Sequence, residues 1–178
     1  MVRRLSRSYQ EQNINSIAEY RMMVVHALRF YYSSDNPEFN VIFANKTIEE
    51  IQRELRKAEN EVDLQSSLAL LSVLEARFRI DYAIRCEKRY KDELSRRFRE
   101  LHKHHGFRAH LENDIFNAWE VHAPGMKGLI SELRQAFKYR HWLAHGRYWL
   151  LKVQIDRFDF QYLYSLTSMA STMLVGGT

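Results

Sequence analysis

Cysteine, proline and glycine are scarce: one, two and six in 178 residues, with no glycine before Gly106. A lone thiol excludes any internal disulfide, and Cys86 has no histidine at ligand spacing, so it is expected to be a buried thiol. A β-rich chain needs glycine and proline turns at short intervals, so their scarcity points to helices. Long uncharged apolar runs are also missing. The longest candidate, Phe160 to Thr178, is interrupted by serine and threonine, which argues against a membrane span. The basic start, Met1 to Arg7, is followed by polar Gln10 to Asn15 where a signal peptide would need its apolar run, so the expected location is the cytoplasm.

What is present is a globular balance of 46% hydrophobic and 28% charged residues, enough for one domain spanning residues 1–178. Net charge is +5, most of it after Arg89, and such an excess favours an anionic partner. No internal repeat, linker or low-complexity block divides the chain.

Helical patterning runs through most of it. Arg4 to Ser33 has no breaker and reads as one helix, with Ile14, Ile17, Met22, Val25 and Leu28 apolar, ending before a turn cluster at Pro37. The stretch from Asn36 to Lys46 reads as a loop. Thr47 and Glu50 have the spacing of a capping box and open a highly charged, peripheral helix. Asp63 is expected to start a separate core helix reaching about residue 89, with Leu64, Leu68, Leu71, Phe78 and Tyr82 as its stripe and Glu75 in an apolar slot. Lys91 to His104 closes at Gly106, and Leu111 to His122 closes at Pro124-Gly125. A second core helix, Met126 to His145, turns Leu129, Leu133, Ala136, Phe137, Leu143 and Ala144 inward and ends at Gly146. Trp149 to Ile155 alternates like a short extended segment, Asp159 can cap a last helix to Met173, and the residues after 174 are expected to be flexible. The fold class expected is all-α, an antiparallel helical bundle.

Arg134 to Trp149 carries the chemistry. Six cationic or imidazole side chains (Arg134, Lys138, Arg140, His141, His145, Arg147) alternate there with Phe137, Tyr139, Trp142, Tyr148 and Trp149, and no acid is among them. Cations hold phosphates and aromatic rings stack on bases, so the mixture suits single-stranded nucleic acid, with Arg134, Lys138, Trp142, Arg147 and Tyr148 as contacts. A core helix with a solvated basic face has the same composition. Arg140, however, falls in an apolar slot, as Glu75 does, so an ion pair between the two core helices is expected.

The run Arg140-His141-Trp142-Leu143-Ala144-His145-Gly146 resembles the signature of the HEPN superfamily, all-helical proteins named for nucleotide binding in higher eukaryotes and prokaryotes. In that family an arginine, often followed by Asn, Asp or His, precedes a histidine after four to six residues near the end of a central helix. The resemblance covers about residues 64–89 and 126–160. It implies a metal-independent endoribonuclease, often a toxin or defence effector, with a composite site in a homodimer and an antitoxin or inhibitor protein as partner. Other members are catalytically silent modules that bind a nucleotide or a protein. On the active reading His145 transfers the proton, Arg140 stabilises the transition state, His141 orients the phosphate or shares the proton, and Glu75 supports Arg140. No cofactor is implied.

His141 and His145 also have the spacing of two metal ligands, but no third ligand lies nearby in sequence, and His102, His104, His105 and His110 read as a solvated helix end. Phe30-Tyr31-Tyr32 reads as core or interface.

Overall fold

Asn13 opens the first helix, because its side-chain oxygen accepts the Asn15 amide at 2.8 Å while its own backbone stays extended. The structure, a computed structural model, describes residues 12–151 and 157–175. Helix α1 (Ile14–Tyr31) therefore starts later than the breaker-free sequence implies: Asn13 caps it, and residues 4–11 lie outside the described residues. Ile14 and Ile17 are buried, whereas Met22 is exposed, as are Phe30 and Tyr31 of the aromatic triplet. Within the expected loop, α2 (Phe39–Ile42) makes a single turn that seats the buried Phe43 against Tyr32.

The chain then forms one helix of 41 residues, α3 (Ile48–Lys88), about 60 Å long. Its capping box is complete: Thr47 N–H donates to Glu50 Oε2 at 2.8 Å, and Glu50 N–H donates to Thr47 Oγ1 at 3.3 Å. The break expected at Asp63 does not occur. No glycine or proline interrupts residues 48–88, and the Asp63 carboxylate takes Arg21 Nε at 2.7 Å instead of capping a new helix. The first half of α3 is charged and largely exposed, while Leu70, Leu71, Leu74, Phe78, Tyr82 and Cys86 of the second half are buried. Burial pushes the Cys86 thiol up to about 12, so it stays protonated and inert.

Helix α4 (Glu93–His105) is capped by Asp92 and ends at Gly106, whose φ of 56° suits the residue without a Cβ. The expected helix from Leu111 divides into a π-helical turn over Leu111–Phe116 and α5 (Asn117–His122). A 3-10 turn at Pro124–Met126 leads into α6 (Lys127–Ala144). Its inner face holds Ile130, Leu133, Ala136, Phe137, Tyr139 and Leu143; Leu129 is half-buried and Ala144 exposed, because the face rotates by one position near each end. Asp159 caps α7 (Phe160–Thr172), accepting the Tyr162 amide at 2.7 Å. Residues 149–151 are irregular, and residues 152–155 of the expected extended segment lie outside the described residues, as do residues 176–178 of the expected flexible end.

Helix α3 is the post on which α1, α4, α6 and α7 pack, giving an all-α helical bundle with no strand among the described residues. Phe78 sits at its centre, with Phe116 and Trp119 edge-on at 5.0 and 6.2 Å between ring centroids. One buried charge is built into this core. Asp81, fully buried, accepts Arg85 Nε at 2.9 Å and the Val175 amide at 2.8 Å, tying the chain after α7 to α3. Among the described residues no helix is long and apolar enough to cross a membrane.

Candidate functional site

The last two turns of α6 lie beside the middle of α3, which brings the side chains of the motif within reach of Glu75. Arg140 Nη2 is 3.3 Å from Glu75 Oε2, with 31% of the arginine side chain and 22% of the glutamate side chain exposed. Glu75 is shared: its other oxygen accepts Arg79 Nε and Nη2 at 3.0 and 2.9 Å, and Arg79 Nη1 in turn donates to the Ala109 carbonyl at 3.1 Å. The acid therefore joins two arginines and anchors the chain entering the π-helical turn. Arg140 Nε is buried and has no acceptor among the described residues. An unmade buried hydrogen bond costs about 1–3 kcal/mol, so this N–H is a donor in need of a partner.

His141 and His145 are both exposed, one turn apart on one face, with ring centroids 4.2 Å apart. His145 occupies the C-cap of α6, and its amide donates to the His141 carbonyl at 3.1 Å. Gly146 (φ 82°) and Arg147 (φ 58°) then reverse the chain through two left-handed residues. The turn is held from both sides: the Arg147 amide donates to the Trp142 carbonyl at 3.1 Å, and its guanidinium makes two bonds with Glu61, at 2.8 and 3.1 Å. The same bonds hold the Glu61 carboxyl below its ordinary value and raise Arg147.

The remaining residues of the basic, aromatic stretch divide by role. Lys138 is exposed and has no ion-pair partner among the described residues, and Tyr148 is 84% exposed with its ring edge-on to Trp149. Both side chains are open to solvent. Trp142 is half-buried, stacked on Tyr139, and donates Nε1–H to the Trp149 carbonyl at 2.8 Å. Arg134 is engaged inside the protein, with Nη1 on the Glu112 carbonyl at 3.0 Å and Nη2 on Asn117 Oδ1 at 2.6 Å. Arg134, Trp142 and Arg147 thus organise the surroundings through protein contacts, which a reading of residue type alone misses.

Two clefts flank His141. One, of about 340 Å³, is lined by Glu75, Phe137, Arg140, His141 and four residues that the sequence did not point to, His110, Leu111, Glu112 and Asn113. The other, of about 600 Å³, is lined by Phe137, Lys138, His141, Trp149 and, again, Glu112. Glu112 carries no local signal, since nothing in its flanking sequence announces that the turn after α4 folds back against α6. A third cleft of about 580 Å³, between α1 and α3, is lined by no acid, imidazole or cation and offers no comparable chemistry. Among the described residues no three His, Cys, Asp or Glu side chains gather where they could hold a metal ion. His102 instead packs edge-on to Phe107, with its Nε2 buried and without a partner among the described residues.

No family model, curated protein or solved structure matches the chain.

Proposed function

We propose that the chain is a metal-independent endoribonuclease of the HEPN type that cuts single-stranded RNA. The observation carrying this reading is that Arg140 and His141 line one cleft large enough for a phosphodiester, with the His145 ring 4.2 Å from that of His141. The 2′-hydroxyl attacks the adjacent phosphorus and gives its proton to an imidazole. The P–O5′ bond breaks, and the departing 5′-oxygen takes a proton from an imidazolium. The products are a 2′,3′-cyclic phosphate and a 5′-hydroxyl. Arg140, permanently cationic, holds the phosphorane charge.

In-line displacement puts the entering and leaving oxygens on opposite sides of phosphorus, so proton acceptor and donor must flank it. Two rings 4.2 Å apart on one helix face reach the same side. A second copy of the motif, facing the first across a homodimer, supplies the other side, with His145 as the principal proton carrier and His141 as its partner. Exposure of both imidazoles favours such an encounter. Lys138 and Tyr148 extend the contact to flanking nucleotides. A toxin or defence effector restrained by a small inhibitory protein is the cellular role that fits a reaction needing no cofactor.

Purified protein incubated with single-stranded RNA in EDTA tests the reading. Cleavage leaving cyclic phosphate ends, with a DNA copy untouched, is expected. Intact RNA would favour the silent module, and cleavage only with divalent metal would return His141 and His145 to ligand roles.

A further inference from the structure

The two clefts beside His141 differ in chemistry. The smaller one contains Arg140 and Glu75, and the larger is walled by Phe137, Trp149, Leu150 and Leu151. A phosphate suits the first and a flat ring the second. The wall is fixed in place: the Trp149 carbonyl is held by Trp142, and its ring lies 5.7 Å from that of His141 and edge-on to Tyr148. Because His141 lines both clefts, a ring in the larger one belongs to a nucleotide joined to the phosphate in the smaller.

Besides His141, three polar residues line this cleft: Lys138, Glu112 and Gln135. Neither the Glu112 carboxylate nor the Gln135 amide has a partner among the described residues, although both are half-buried. Their backbones are locked together, since Arg134, next to Gln135 in α6, grips the Glu112 carbonyl. The π-helical turn that carries Glu112 is held by two amides, Asp114 and Ile115, donating to the one His110 carbonyl. An acceptor-only group and an amide, fixed on rigid backbone at the side of an aromatic slot, are a means of reading a base edge.

We infer that the larger cleft seats a guanine next to the scissile phosphate, with Glu112 and Gln135 determining that preference. The inference rests on reading the motif as a ribonuclease site. Guanine alone among the four bases presents two adjacent donors, N1–H and the N2 amine, on its Watson–Crick edge, and one carboxylate accepts both. Adenine and cytosine set a single amine beside a ring-nitrogen acceptor, which repels a carboxylate. Uracil sets its one N–H between two carbonyls. Gln135 completes the match by donating to guanine O6, and the base lies against Trp149.

Titration of the protein in EDTA with GMP, AMP, CMP and UMP, followed by tryptophan fluorescence, tests the seat without requiring cleavage. GMP is expected to bind roughly tenfold to a hundredfold more tightly than the others. W149F should remove most of the signal. E112Q, nearly isosteric, should bring the four affinities together, and Q135A should reduce the guanine preference in part; circular dichroism verifies that both fold. A parallel set of oligoribonucleotides differing at one base should be cut next to guanosine, with that ratio collapsing in E112Q. Equal affinities in the parent protein, or a preference unchanged in both folded variants, would overturn the guanine seat. Cutting without base preference overturns the seat and leaves the ribonuclease reading intact. Selective GMP binding with no RNA cleavage supports the seat and removes the ribonuclease.

Discussion

Arg140 and Glu75 give the residue-scale test. On the proposed ribonuclease reading, Arg140→Ala removes the phosphorane's cation and His145→Ala the proton carrier, so each should lower cleavage by about 10²- to 10⁴-fold while the helical spectrum is unchanged. His141→Ala should be milder if the imidazole only orients the phosphate and as severe as His145→Ala if the two share the proton. Glu75→Ala differs in kind: it strands Arg79 as well as Arg140, so thermal stability should fall together with activity. An active Glu75→Ala protein with unchanged melting would show that the pair is incidental. The pair itself was legible in the sequence, because a glutamate and an arginine each interrupted an apolar stripe. Arg79's claim on the same carboxylate was hidden, since an i, i+4 pair on a charged helix has no distinguishing pattern.

At the scale of elements, local chemistry was readable and distant chemistry was not. The Thr47 capping box, the Asp159 cap and the Gly106 terminus each depend on neighbours within a few positions, and each formed. Asp63 has the same capping chemistry but meets Arg21 instead, so α3 continues through it. The bond between Arg147 and Glu61 joins residues 86 positions apart and has no sequence signature, yet it fixes the turn after the motif. Its carboxyl is held below the ordinary 4.5 by the Arg147 hydrogen bonds. The stabilisation is therefore complete above about pH 4.5 and is lost as pH falls through the lowered value. Protection factors at residues 146–151, which correct amide exchange for its intrinsic pH dependence, should fall over that acid range in the parent protein, and E61Q should show low protection already at neutral pH. High protection in E61Q would mean that the Trp142 contacts alone hold the turn. Gly146→Ala adds a test of the same turn: its Cβ would meet nothing within 4 Å, so the expected loss of about 1–2 kcal/mol comes from the left-handed backbone alone.

For the whole molecule, the proposed chemistry raises the question of how one chain could complete it. The helical class was readable from the scarcity of glycine and proline, and the bundle follows from α3, against which four other helices pack. The surface carrying His141, His145 and Tyr148 is open, and its two imidazoles face the same way. If two such surfaces must meet, activity should depend on protein concentration more steeply than linearly near the dissociation constant of the dimer, and sedimentation should show two copies wherever RNA is cut. Mixing makes the test sharper. Arg140→Ala and His145→Ala chains, each inactive alone, should regain part of the activity when combined if each composite site draws its arginine and histidine from different copies. If both groups of a site come from the same copy, each mixed dimer still holds one damaged motif at every site and no activity returns. A sedimenting monomer with full activity at assay concentration would refute the composite site altogether, leaving a single chain to supply both proton transfers from rings 4.2 Å apart.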